Sequence, residues 1–294
     1  MDARVSDLPG GNAPPTPDAD EAATDGDAPM LSAMLWTMTP PPGGADGAPP
    51  DAALLRPHIS ENEWARVATF RDPFHAWSSA ATRALLRAML SRYHGADPMA
   101  WHFLTEPGGR PHVDMTRLPH AVTAETRPRF SLSHTHGLAA CMVSLGPWPD
   151  GAELGVDAEW RHRPALSAGR LARRFFHPDE FAAVSARPQG PARHDLFLTL
   201  WTRKEAVLKA LGLGIANHLA CYACTGEPAR VTGDPAMIGA GRDWHLESGD
   251  PTPDHRLSWA IRLDPGQGAA TEDESASPGV VVRHRHLAGW NAPP

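Results

Sequence analysis

Helix-like and strand-like stretches follow one another along this 294-residue chain without regular alternation. That order favours an α+β fold over a doubly wound parallel sheet. Met30 to Met38 is the first apolar run and reads as a strand, followed by a loop over Pro40 to Pro50. Asp51 to Phe70 and Pro73 to Tyr93 read as helices. In the second, Ala81, Leu85, Leu86, Met89 and Leu90 recur at helical spacing. Gly108 to Pro111 signals a turn, and Arg129 to Leu145 reads as two short strands around Thr135-His-Gly137. Glu153 to Trp160 reads as a strand and Ala165 to Phe176 as a helix. Another helix starts at His177-Pro178, with proline suited to a first helical turn. Asp195 to Leu211 forms a long apolar helix stopped by Gly212. Strands are expected near His218–Cys224, Asp243–Ser248, His255–Leu263 and Val280–Leu287.

Residues 1–29 are proline, alanine, glycine and aspartate with hardly an apolar side chain, too little to offset their ordering entropy, so a disordered leader is expected. Residues 265–278 are polar and read as a flexible insertion. The net charge of −7 belongs to the leader. Residues 1–50 hold eight acids and one base; the rest holds 26 of each. A neutral body gives no support to nucleic-acid binding, which usually shows a basic excess. No run is long and apolar enough to span a bilayer, and the N-terminus lacks a secretion-signal layout, so a cytoplasmic protein without membrane partners is expected. Three cysteines do not make a disulfide framework.

Only two lysines occur against 25 arginines, and both lie in Trp201-Thr-Arg-Lys204-Glu205-Ala-Val-Leu-Lys209-Ala. Retaining an ammonium there suggests chemistry that a guanidinium does not serve, since lysine is a compact charge with a tunable pKa. An ordinary solvated Glu-to-Lys helix pair is the alternative. In Gly155-Val-Asp157-Ala-Glu159, the two acids fall two apart on a strand and share a face. Paired carboxylates repel unless a cation lies between them, and such hard oxygen donors suit Mg²⁺. A solvent-facing strand would look the same. Ser131-Leu-Ser133-His134 ends an apolar strand in a polar turn where a histidine can donate to a phosphate, or merely serve the turn. Gly109-Arg110-Pro111 sets a guanidinium on a stiff turn, open to phosphate or to water. Cys221-Tyr-Ala-Cys224 lacks the further ligands zinc needs, and Arg283-His-Arg-His286 reads as a polar strand edge. There is no P-loop, dinucleotide glycine fingerprint or nucleophile elbow.

The order of these segments is specific: Gly-Arg-Pro (109–111), Phe130-Ser-Leu-Ser133-His134, Gly155-Val-Asp157-Ala-Glu159, Arg174-Phe-Phe176 with Glu180, then Trp201-x-x-Lys204-Glu205-Ala206-x-x-Lys209-Ala-x-Gly212-x-Gly214. Over roughly residues 60–262 it closely resembles the 4′-phosphopantetheinyl transferases of the Sfp type. The resemblance implies two similar α+β subdomains about a pseudo-twofold axis, here residues 30–150 and 151–294, in a chain expected to be a monomer. It implies transfer of the phosphopantetheine arm of coenzyme A to a serine of an apo acyl, polyketide or peptidyl carrier protein, releasing 3′,5′-ADP. It also implies roles: Asp157, Glu159 and Glu205 as Mg²⁺ ligands, Glu205 as base, and Lys209 at the diphosphate and leaving group. Ser133, His134, Arg110 and Lys204 match coenzyme A contacts, with Arg66 and Ser79 aligned more loosely.

Departures from the family pattern are Ala158 between the acids, Arg110 where lysine is usual, and residues 71–79, which lack the usual charges. Two other classes remain: a non-catalytic module binding coenzyme A or a carrier, and a different Mg²⁺-dependent phosphotransferase. The first would lack a metal ligand, and the second would want a glycine-rich phosphate loop.

Overall fold

The computed structural model describes residues 31–41, 50–105, 109–117, 122–123, 125–162, 168–213, 218–239, 243–263 and 279–290. The expected leader and the 265–278 insertion lie outside them. Strand β1 (Leu31–Thr39) carries two apolar faces. Met34, Trp36 and Met38 enter one core, and Leu31, Ala33 and Leu35 another. Burial on both sides explains why the segment is continuously apolar rather than alternating.

Three further strands complete the first sheet. The small strands β2 (Phe103–Thr105) and β3 (Pro111–Val113) form a separate hairpin. β4 (Phe130–Thr135) and β5 (Leu138–Leu145) form a tight hairpin, with Gly137 at φ 70°. That angle is why glycine stands at the turn. The sheet order is β11-β1-β5-β4, where β11 is the last strand, Val280–Ala288. β11 runs parallel to β1, with Leu31 opposite Val280. A boundary at residue 151 would assign this strand to the second half; it instead fills the edge of β1 that β5 leaves open.

Outside this sheet lie α1 (Glu61–Val67) and α2 (Pro73–His94). The single helix expected over 51–70 is broken. A 3₁₀ segment, Ala52–His58, contains Pro57, and Ser60 then caps α1 in a reciprocal pairing with Glu63. Proline and a capping box each favour a boundary there. α2 starts on the Asp72 cap with Pro73 in its first turn and stops at Gly95. Its buried face, Trp77, Ala81, Leu85, Leu86 and Met89, covers the Trp36 side of the sheet.

The second sheet is β6 (Glu153–Trp160), β10 (His255–Arg262) and β9 (Trp244–Thr252), all antiparallel. Leu154, Val156, Ala158, Leu257 and Ile261 meet Leu35, Leu138, Ala140 and Met142, so the two sheets share one apolar core. α5 (Pro191–Leu211) covers the far side of the second sheet through Ala206, Val207 and Ala210. It begins four residues before the expected Asp195, because Pro191 suits a first turn. α3 (Ala168–Phe175) and α4 (Pro178–Ala186) pack beside α5, followed by the hairpin of β7 (Tyr222–Thr225) and β8 (Arg230–Gly233) and the short α6 (Pro235–Ile238).

Candidate active site

The site is built where α5 crosses β6. Gly155, Asp157 and Glu159 alternate with the core residues of β6 and face the helix. A Cβ on Gly155 would lie 2.0 Å from the Ala206 carbonyl oxygen and 2.7 Å from the Ala210 nitrogen. Only glycine permits that approach, which lays Glu205 and Lys209, one helical turn apart, over Asp157.

β4 is tied to β6 from the other side by three hydroxyls. Ser131, Ser133 and Thr135 accept from the backbone N–H groups of Val156 (3.0 Å), Ala158 (3.1 Å) and Trp160 (3.2 Å). Ser133 also donates to Asp157 Oδ1 at 2.9 Å. The hydroxyl expected at coenzyme A is therefore committed to β6. Its spacing along β4 aims it at the second sheet, whereas Leu132 and His134 face the opposite way.

Lys209 stands at the junction. Its Nζ donates to Asp157 Oδ1 at 2.8 Å and to the carbonyls of Val156 (2.9 Å) and Leu132 (3.1 Å). Glu205, 5% exposed, is pushed up to about 8 by burial first and then by Asp157, with Lys209 opposing and Glu159 adding. Asp157 Oδ2 and Glu205 Oε1 are both buried without a hydrogen-bond partner. Two such oxygens on facing carboxylates are costly unless a cation answers them. The donor set is right for Mg²⁺, which typically takes one or two carboxylates plus substrate oxygens. The three-carboxylate cage is not closed, however. Among the described residues no three carboxylate, imidazole or thiol groups stand close enough to hold an ion. The pair with partnerless oxygens is Asp157 and Glu205; Glu159 acts on Glu205 through its charge.

Behind β4 lies a cavity of about 740 Å³, between α1, α2 and the β2–β3 hairpin. Arg66, Ser79, Arg83, Leu132 and His134 line it, with Trp101 and Phe103 beyond. The His134 imidazole is pushed down to about 4, by burial first and then by Lys209, His75, Arg83 and Arg66. So many like charges around one ring mark a place for an anion. Arg83 was missed in the sequence. Its signal was its spacing, one turn after Ser79 on the same face of α2.

Two expected contacts are elsewhere. Arg110 pairs with Glu153 and reaches the Ala210 carbonyl at 3.4 Å. It lines a separate cavity of about 230 Å³ with Arg127 and Arg129. The turn thus spends the guanidinium on a neighbouring carboxylate. Lys204 is 0% exposed and does not reach the site. Its Nζ donates to Glu180 Oε2 at 2.6 Å and to the Tyr222 carbonyl, while Glu180 Oε1 accepts from Cys224 N–H at 2.7 Å. One residue from Glu205 is about 100° around a helix, so adjacent charges face different sides. Cys224 is buried, its thiol pushed up to about 12.

The 4′-phosphopantetheinyl transferase superfamily model matches residues 153–260, the stretch that carries β6 and α5. A 4′-phosphopantetheinyl transferase of Nostoc sp., HetI, is 33% identical over 180 residues, 60% of this chain and 70% of that protein. The chain belongs to the 4′-phosphopantetheinyl transferase superfamily. It is an enzyme of that class. A Synechocystis sp. protein provisionally given the same transferase name is 33% identical over 55% of this chain and 60% of its own. A Bacillus subtilis 4′-phosphopantetheinyl transferase is 27% identical over 46% of this chain and 52% of its own. The chain therefore spans between 52% and 70% of the length of these three relatives. Within the superfamily match lie Asp157, Glu159, Lys204, Glu205 and Lys209; His134 and the cavity behind β4 lie before it.

Proposed function

We propose that this transferase moves the 4′-phosphopantetheine arm of coenzyme A to a serine hydroxyl of an apo acyl, polyketide or peptidyl carrier protein, with Mg²⁺, releasing 3′,5′-ADP. The observation that supports it is the position of Lys209. This ammonium touches Asp157 on one side of β4 and acts on His134 in the cationic cavity on the other. A substrate with phosphates at both places fits that arrangement.

The cavity holds coenzyme A, with Arg66, Ser79, Arg83 and His134 positioning its phosphates. The expected contacts from Arg110 and Ser133 are replaced in this reading by Arg83. Asp157 and Glu205 hold Mg²⁺, with Glu159 beside them. When bound, the ion neutralises charge on the diphosphate oxygens and stabilises the leaving phosphate. Glu205, pushed up to about 8 by burial and Asp157 in the substrate-free protein, takes the proton of the incoming serine, directly or through water. The serine oxygen bonds to the phosphorus that carries pantetheine, and the bond from that phosphorus to the departing 3′,5′-ADP breaks. Lys209 donates to the oxygen that leaves. Such phosphoryl chemistry rests on positioning and charge, which these side chains supply.

A helix laid on the outer face of each sheet supports reading residues 30–150 and 151–294 as two subdomains related by a pseudo-twofold axis, with β11 of the second half completing the first sheet. A single chain carrying both supports a monomer, here placed in the cytoplasm. Incubation with coenzyme A, Mg²⁺ and a panel of apo carriers, read by intact mass, tests the proposal. One or more carriers gain the pantetheine arm, and chelator stops the gain. No mass gain on any acyl, polyketide or peptidyl carrier would overturn it.

A further inference from the structure

The histidines of β11 belong neither to the apolar cores nor to the candidate active site. On β11, Val280 and Val282 pack against the core shared by the two sheets. Alternation carries His284 and His286 onto the same face. There the core gives way to polar groups. His284 Nε2 and His286 Nδ1 each lie 2.9 Å from the hydroxyl of Thr37, which is fully buried on β1. His255, at the start of β10, bonds through Nε2 to the His136 carbonyl at 2.8 Å and through Nδ1 to the Thr252 hydroxyl at 2.7 Å. Its charge interactions include His286 and His136. Four imidazoles thus gather where β11, β10 and the β4–β5 turn meet.

We propose that β11 is an acid-releasable strap, held across the meeting of the two sheets by neutral histidines and let go when they gain protons. The hydroxyl chemistry sets the direction. Thr37 has one proton and can donate to one neutral ring while accepting from the other. When both rings are cationic, both nitrogens donate. The Thr37 proton then loses its acceptor, and two charges share one buried hydroxyl.

The surroundings do little to offset this. His284 is held below its ordinary value by burial and then by His286, and His286 by burial. His255 is held down by burial, His136 and His286, against the His136 carbonyl and Asp254. Arg283 and Arg285 alternate to the other face of β11, where Arg285 lies 5.4 Å from the Trp36 ring centre. Among the described residues, β1 presents the neutral Thr37 to these rings and β9 the neutral Thr252. Groups whose folded pKa is depressed keep their stabilising effect above the unfolded value of about 6.5 and lose it as pH falls below. At pH 5.5 each released ring favours the open strand by up to about tenfold.

Amide hydrogen exchange on the full chain at pH 7.5 and 5.5, corrected for intrinsic rates, tests this. In the wild type, protection over 280–288 falls at least about tenfold more than over α2 and β6. In His284→Gln/His286→Gln, whose amides can still bond Thr37, it changes no more than α2 does. Unchanged protection of 280–288 in the wild type overturns the proposal, as does a fall in step with α2 and β6 or an equal fall in the variant. Should the double variant not fold, NMR titration of the wild-type rings decides: midpoints for His284 and His286 below 6.5 uphold the strap, and midpoints at or above 6.5 overturn it.

Discussion

Gly155→Ala is the smallest change that tests how the site is assembled. The added methyl would sit 2.0 Å from the Ala206 carbonyl oxygen, whereas ordinary contact begins at 3.4 Å. Helix and strand must part by about 1.4 Å at that point. Both colliding groups are backbone, so no side chain can turn aside. Overpacking of this kind costs about 1–3 kcal/mol. In a chain of this size that lowers the melting temperature by roughly 3–10 °C. The functional cost is larger. Glu205 and Lys209 ride on the displaced helix while Asp157 stays on the strand, and misplacement by about 1 Å can cost about 100-fold in rate. Turnover should therefore fall about 100-fold in a protein that still melts cooperatively. Calorimetry and steady-state transfer to an apo carrier, with coenzyme A varied, separate the two effects. A variant with unchanged kcat would refute the argument that this contact sets the site, even if its stability dropped.

Asp157→Ala should abolish transfer, since it removes a partnerless oxygen and the partner of Lys209; measurable turnover above one part in a thousand would contradict its assigned role. Arg83→Ala should raise KM for coenzyme A roughly 10–100-fold, the worth of a charged hydrogen bond, whereas Arg110→Ala, paired with Glu153, should move it less; the reverse order in a kinetic titration would misplace the phosphates. Lys204→Ala leaves Glu180 buried without its counter-charge, so urea denaturation should show a loss of about 3–5 kcal/mol, only partly restored by Lys204→Met/Glu180→Leu, which leaves the Cys224 N–H and the Tyr222 carbonyl without partners. Adding Mg²⁺ to the substrate-free protein at pH 7 should release about one proton from Glu205, read by calorimetry in buffers of different ionisation enthalpy. Without the ion, that raised carboxyl favours folding at low pH, a contribution lost as pH rises through about 8.

Local pattern made much of the fold legible. β6 runs over the residues expected from its composition, and the β4–β5 hairpin forms around Gly137. Each is specified by neighbours in the chain. The partner of β11 was not legible, because a parallel pair joins residues that share no turn and leaves no periodic mark. Asp157, Glu205 and Lys209, singled out by residue type and spacing, lie together where α5 crosses β6. Lys204, expected at coenzyme A from the family pattern, is buried against Glu180 by its position on the helix. Ser133 matched a family position at coenzyme A, but alternation along β4 turns its hydroxyl toward Asp157 while His134 faces the other way. Arg83 escaped because an arginine one turn from a serine looks like any exposed helical pair.

The pairing of β1 with β11 bears on how the protein is made. β1 leaves the ribosome about 250 residues before the strand that completes its sheet. Until then its outer backbone groups are open to any passing chain. Maturation cannot proceed to completion one half at a time, as vectorial synthesis would otherwise allow. The nascent polypeptide must shelter that edge until translation has passed Ala288.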